Sequence, residues 1–218
     1  MLHKDFLKLY WKQYLSLEKD LLQMDDYVTI DSKNYGCFSN NFAKIFMMAC
    51  SELDSLVLKF DEIIRRDFFI EKALPKSFPQ KLDMLLYKYK NLHNMRISTK
   101  ADICEINFVP FTNFTENETD GWWKDYNLVK HNRTEINSGG KYNYEKANLK
   151  NTMTALSALY LVCYLFDSYI SESDAELIPE SPSIHYYEIT SYNSATNRKH
   201  HGIYSRNRTR AGLIPVIM

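Results

Sequence analysis

The sequence predicts an all-α fold: a bundle of four or five helices, a short extended segment near residues 102–109 and an irregular C-terminal appendage. Three observations point there. Residues 39–66 and 144–169 carry apolar side chains every three to four positions or nearly all round, the pattern of helices that bury a face. The 218 residues include only six Gly and six Pro, too few for a loop-rich all-β fold. The two-residue alternation of a strand is read in one short run, 102–109. The expected organisation is a bundle over residues 1–170 and an acidic-then-basic appendage over 171–218.

Taken in order, residues 3–24 read as a first helix, with Phe6, Tyr10, Tyr14, Leu17 and Leu21 in register. Asp25-Asp26 and the polar cluster 31–36 break it. Ser39 is a good N-cap, and Phe42, Ile45, Phe46, Ala49, Leu53, Leu56, Val57 and Phe60 form the stripe of a second helix reaching about Arg66. Pro75 and Pro79 set off a third, about 80–92, with Leu82, Leu85, Leu86 and Tyr89 on one face. After the extended segment and a polar loop comes a helix over 122–133, which Ser138-Gly139-Gly140 is expected to close. The last helix, about 144–169, is apolar nearly all round and so is expected to be central. Residues 171–183 are acidic, and 198–210 carry five Lys/Arg, two His and no acid.

Composition narrows the function. Apolar content of 45% with 25% charged residues fits a globular protein, and a formal net charge of zero removes any global electrostatic signature of nucleic-acid binding. Any such contact has to be a local patch. Cys37, Cys50, Cys104 and Cys163 are scattered without a CxxC pair; Cys50 and Cys163 read as core thiols. The acidic residues Glu52, Asp54, Asp61 and Glu62 lack the Glu-x-x-His motifs of a di-metal bundle and read as solvated or paired with Arg65 and Arg66. We therefore expect no metal and no cofactor. The charged, amphipathic first residues do not resemble a signal peptide, and the apolar run 153–166 is shorter than a membrane span. The expected location is the cytoplasm, with no membrane contact.

The stretch 122–133, WWKDYNLVKHNR, gathers the groups best suited to chemistry. At 100° per residue, Arg133, Tyr126, Lys130, Trp123, Thr134, Asn127 and His131 share an arc of about 160°. His131 can exchange a proton near neutral pH. Lys130 and Arg133 can hold a phosphate, and Asn127, one turn before His131, can orient the imidazole or bond a ribose hydroxyl. Those are the parts of metal-independent RNA cleavage, and equally of a helix end that binds the protein's own carboxylates. Trp123 and Tyr126 on this arc are candidate substrate contacts, Trp123 by stacking on bases; a Trp pair at a helix start also serves to pack the core.

This segment resembles the signature of the HEPN superfamily, all-helical domains of bacterial toxin–antitoxin, abortive-infection and CRISPR-associated proteins. Their motif is an Arg, a polar residue such as Asn, a few further residues and a His, on a helix packed against a long final helix. Asn127 and His131 match the polar residue and the His; Tyr126 stands where the family has Arg. The resemblance covers about residues 120–166. It implies catalytic roles for His131 and Asn127, substrate contacts for Lys130, Arg133, Tyr126 and Trp123, and a homodimer that acts on RNA as a candidate metal-independent endoribonuclease in phage defence or toxin–antitoxin biology. The missing Arg leaves a second expectation open: a non-catalytic interaction module whose polar arc binds a partner protein, such as an antitoxin, or a small anion.

Overall fold

The structure, a computed structural model, describes residues 1–71, 73, 75–115, 119, 121–170 and 180–187. In chain order the helices are α1 (His3–Phe6), α2 (Lys12–Met24), α3 (Asn40–Asp67), α4 (Phe78–Lys88), α5 (Gly121–His131) and α6 (Leu149–Ile170). The strands are β1 (Ile97–Thr99), β2 (Asn107–Phe108) and β3 (His185–Tyr187). A π-helical stretch, Leu7–Trp11, joins α1 to α2, so the predicted first helix is one continuous rod. The chain is an all-α bundle with one small sheet.

The predicted stripes lie where the core is. Ser39 caps α3 by accepting a hydrogen bond from the Phe42 N–H at 3.0 Å. From there Phe42, Phe46, Ala49, Leu53, Leu56, Val57 and Phe60 are fully buried. Most of that stripe meets α6, whose side chains are enclosed on every side from Met153 to Phe166 apart from Thr154. The two helices run parallel. Near their starts Thr152 Oγ1 donates to the Phe42 carbonyl at 3.3 Å, and near their ends Phe60 meets Phe166 at 4.9 Å and the Tyr169 hydroxyl donates to Asp67 at 3.1 Å. The first helical rod runs antiparallel to α6: His3 bonds Asp167 at 2.7 Å, Phe6 meets Phe166 at 5.1 Å, and Tyr14 meets Tyr160 at 5.4 Å.

By length and composition α6 is apolar enough to cross a membrane, yet 78% of its most apolar window is buried inside the bundle. It is longer than the apolar run 153–166 suggests, because Thr, Asn, Ser and Tyr residues extend it at both ends. Its polar members are absorbed locally: Thr152 and Ser157 donate to the carbonyls four residues back, both at 2.8 Å.

Several boundaries differ from expectation. α4 starts at Phe78, with Pro79 in its first turn where no N–H is missed, and ends at Lys88 rather than near 92. A 3-10 turn, Asn143–Lys146, precedes α6, which begins five residues later than its apolar pattern suggests. The Gly-Gly pair does not close α5. That helix ends at His131, and Gly140, with φ of 75°, instead turns a small loop between the bridge partners Ile136 and Tyr142. The extended segment shrinks to β2; residues 101–104 are a turn. β1, which the sequence does not signal, is the central strand of an antiparallel sheet ordered β2-β1-β3. β3 lies in the expected appendage. Of residues 171–218 only 180–187 are described, and these are built into the bundle: Ile184 and His185 are fully buried, and β3 pairs with β1 from Ile97–Tyr187 to Thr99–His185. The basic run 198–210 and the acidic residues 171–179 lie outside the described residues.

If the α3–α6 seam is the core, truncating Leu159 or Phe46 to Ala leaves a cavity and costs on the order of 2–5 kcal/mol. Urea unfolding measures this. A loss under about 1 kcal/mol at both positions would mean that these faces are not packed.

Candidate functional site

α5 is positioned by its aromatic face. Trp122, Trp123, Tyr126 and Val129 are buried. Trp123 stacks on Phe78 at 3.7 Å and meets Tyr126 at 5.0 Å; Tyr126 in turn stands edge-on to Phe46 of α3 at 6.1 Å. The Trp122 indole donates to the Pro110 carbonyl at 2.9 Å, which satisfies its one polar atom. Asp125 ties the helix to the approach of α6: Lys146 Nζ lies 2.6 Å from one carboxylate oxygen and Asn151 Nδ2 donates to the other at 2.9 Å.

The end of α5 is wet. Asn127, Lys130, His131 and Arg133 are all exposed. Asn127 donates its amide back to the Trp123 carbonyl at 3.1 Å, so that group is directed along its own helix. Lys130 lies over the Tyr126 ring with its ammonium 5.5 Å from the centroid. The Arg133 guanidinium lies 6.0 Å from the Tyr144 centroid, and its carbonyl accepts from the Tyr144 N–H at 3.1 Å. Among the described residues neither cation is paired with a carboxylate. Lys130 and His131 occupy the last turn, where the helix dipole favours positive charge.

The sequence-predicted site is therefore only partly assembled. Lys130, His131, Arg133 and Asn127 are each exposed within seven residues at the end of α5. Trp123, 6% exposed, and Tyr126, 4% exposed, do not join it. The expectation that they contact substrate is corrected: among the described residues Trp123 is stacked on Phe78, and Tyr126 packs between Trp123 and Phe46 with Lys130 over its ring, so both rings are buried. Burial first, then the neighbouring Cys50 and Asp54, pushes the Tyr126 phenol up to about 12, so it stays neutral. A groove of about 470 Å3 lies elsewhere, lined by Asp20, Asp26, Asn41 and Lys44 among others, and none of the predicted site residues lines it. Among the described residues, no three His, Cys, Asp or Glu side chains gather as metal ligands would. Asp61 and Arg65 form the expected ion pair, two-pronged at 2.6 and 2.9 Å and buried.

Sequence reasoning missed a second polar constellation. Glu18, Tyr14, Ser157 and His185 meet in the interior, and all four are buried. One Glu18 oxygen accepts from the Tyr14 hydroxyl at 2.6 Å and the Ile184 N–H at 2.7 Å, and the other accepts from the Ser183 N–H at 2.6 Å. Tyr14 spends its only proton on Glu18, so His185 Nδ1, 3.0 Å away, donates to it. His185 Nε2 sits 3.0 Å from Ser157 Oγ. Ser, His and a carboxylate lie in the order of a hydrolase relay, but a tyrosine stands between His and Glu, and Ser157 and His185 are both at 0% exposure. No substrate reaches them. The set clamps the turn entering β3 onto α2 and α6. No local pattern announces it, because its members lie up to 171 positions apart.

No protein-family model, curated protein or solved structure matches the chain.

Two outcomes follow from this geometry. Tyr126→Arg puts a guanidinium among aromatic rings. It should destabilise the protein by about 3 kcal/mol or more in urea unfolding, without creating ribonuclease activity. Glu18 gives a pH signature. Burial pushes its carboxyl up, but His185, the Tyr14 hydroxyl and the Ser183 N–H together outweigh burial and hold it below the usual 4.5. Its contribution is thus present above the unfolded-state value and fades as pH falls through the lower folded-state value. Glu18→Gln should cost about 2–3 kcal/mol at pH 7 and flatten the acid limb of the stability curve; an unchanged acid limb would show that Glu18 is not held ionised.

Proposed function

We propose that the chain is a HEPN-like RNA-binding protein of the cytoplasm whose contact surface is the exposed end of α5, working as a homodimer in phage defence or toxin–antitoxin biology. One observation carries the reading. Lys130, His131 and Arg133 stand together in solvent with Asn127, and the two cations rest on Tyr126 and Tyr144 rather than on acids. A cation held on a ring keeps its charge for a phosphate.

Binding is the better supported half of this reading. The family's phosphate-binding Arg position is a core tyrosine here, and the Asn127 amide is engaged with its own helix. Cleavage by His131 as acid or base then depends on a second copy, which brings another Lys130, His131 and Arg133 across a two-fold axis. Four such cations repel one another unless an anion lies between them, so the dimer tightens with phosphate, sulfate or RNA.

A second reading has its own support. Phe38, Ile136 and Tyr142 are exposed large apolar residues, and Phe38 and Tyr144 pack edge to face at 5.9 Å beside the Arg133 guanidinium. That surface suits a non-catalytic module that docks a partner protein such as an antitoxin.

Anisotropy with labelled RNA in EDTA decides between them. The double variant Lys130→Gln, Arg133→Gln should weaken binding about tenfold at about 100 mM salt and reduce the salt slope by about 1–2. His131→Ala should remove any cleavage while leaving the melting temperature unchanged. RNA binding that is indifferent to the double variant would remove the α5 reading and leave partner docking ahead.

A further inference from the structure

The end of α3 is built against the usual rule. Its last turn closes with the Ile70 N–H donating to Arg65 O at 2.9 Å and the Phe69 N–H to Arg66 O at 3.3 Å, which leaves Phe69 in the left-handed region at φ 54°. Glycine or asparagine is the ordinary residue there, because a Cβ is strained. The Phe69 ring does nothing in the core to offset this: it is 93% exposed.

Phe69 is not alone. Phe68 and Tyr87, both large and exposed, stand edge to face at 5.9 Å. Lys88 Nζ lies 5.3 Å from the Phe68 centroid and 5.2 Å from that of Tyr169, and Lys90 Nζ lies 4.9 Å from that of Tyr87. Among the described residues neither lysine is paired with a carboxylate. Asp67, next to Phe68 in the chain, is engaged by Arg66 at 2.7 Å and by the Tyr169 hydroxyl at 3.1 Å. The result is flat apolar rings interleaved with ammonium groups whose charge is not neutralised.

We propose that this patch binds single-stranded RNA, with unpaired bases stacking on Phe69 and its ring neighbours and backbone phosphates resting on Lys88 and Lys90. Every base offers a π-face to a ring, and each phosphate beside it needs a cation, so the alternation of ring and ammonium matches the alternation along a strand. A bilayer fits less well: sinking Phe68-Phe69-Ile70 into it would draw in the flanking Asp67 and Glu71. A second copy fits less well too, since facing patches would bring four uncompensated ammonium groups together. The inference rests on the RNA reading of the protein and narrows it to unpaired strands. It also adds a contact at the opposite end of α3 from the α5 edge, a helix length of about 42 Å away.

The test measures anisotropy of a labelled single strand and its matched duplex, at about 50 and about 200 mM salt. The wild type should bind the single strand about tenfold more tightly than the duplex. Phe69→Gly, and separately Lys88→Gln with Lys90→Gln, should each weaken single-strand binding about fivefold or more. Phe69→Gly should at the same time keep or raise the melting temperature, because it relieves the strained backbone. Lower affinity with equal or higher stability is an outcome that a structural role does not produce. Wild-type affinity in both patch variants overturns the proposal, as does equal binding of duplex. So does a Phe69→Gly variant that loses only phosphatidylserine-vesicle binding or only self-association in sedimentation. The α5 double variant separates the two sites: if it alone loses RNA, the α5 reading stands and the patch falls, and if the patch variants alone lose RNA, the reverse holds. A wild type that binds no strand ends both.

Discussion

α6 has no solvent side. From Met153 to Phe166 its residues are apolar or small almost without interruption, and every position in that span but Thr154 is buried. A helix of that kind has to be surrounded, and the rest of the fold is the set of elements that surround it. α3 lies parallel to it and supplies the widest stripe. The first helical rod lies antiparallel and brings Phe6, Trp11 and Tyr14. Burying a typical large apolar side chain stabilises by about 1.5–3 kcal/mol, so this shared seam outweighs any polar contact in the molecule.

Covering α6 also explains why polar groups occur where they are least expected. The start of β3 comes back over α6, and its backbone N–H groups enter an apolar region. Glu18 accepts from them, and the carboxylate so buried is held by Tyr14 and His185. Each partner answers the desolvation of another, which is why the group is complete and shut off from solvent rather than open to a ligand. His3 with Asp167 is a smaller case at the other end of the same two helices. Clusters that look chemical are here consequences of packing, while the candidate binding surfaces lie at helix ends, in water.

Periodicity located what periodicity governs. The Ser39 cap, the α3 stripe and the central place of α6 are properties of a few turns of chain, legible without the fold. The sheet was not legible: β1 and β3 are three residues each, and their pairing joins positions about ninety residues apart, so nothing local specifies either. On α5 the arc of about 160° assumed a helix through Thr134 and one inward stripe. The chain leaves the helix after His131, so Arg133 is placed by its ties to Tyr144 instead. The stripe of two Trp and a Tyr is wide enough to take Trp123 and Tyr126 off the arc and into the core. The fold was thus readable to its main elements; of the six candidate site residues, the aromatic face takes two into the core and leaves four in solvent.

A chain with 27 basic and 27 acidic residues can offer positive charge only where the two signs are kept apart. In this protein they are kept apart by aromatic rings. Lys81, Lys146 and Arg65 meet carboxylates and are neutralised within the structure. Lys88, Lys90, Lys130 and Arg133 lie instead on Phe68, Tyr169, Tyr87, Tyr126 and Tyr144. The ring quadrupole holds a cation by up to about 1 kcal/mol at an exposed site without cancelling its charge, and it fixes a side chain that would otherwise spend entropy on binding. A sequence with sixteen Tyr and twelve Phe has the means to do this repeatedly. Among the described residues the α5 edge and the end of α3 are where it does so with exposed cations, and net charge reveals neither.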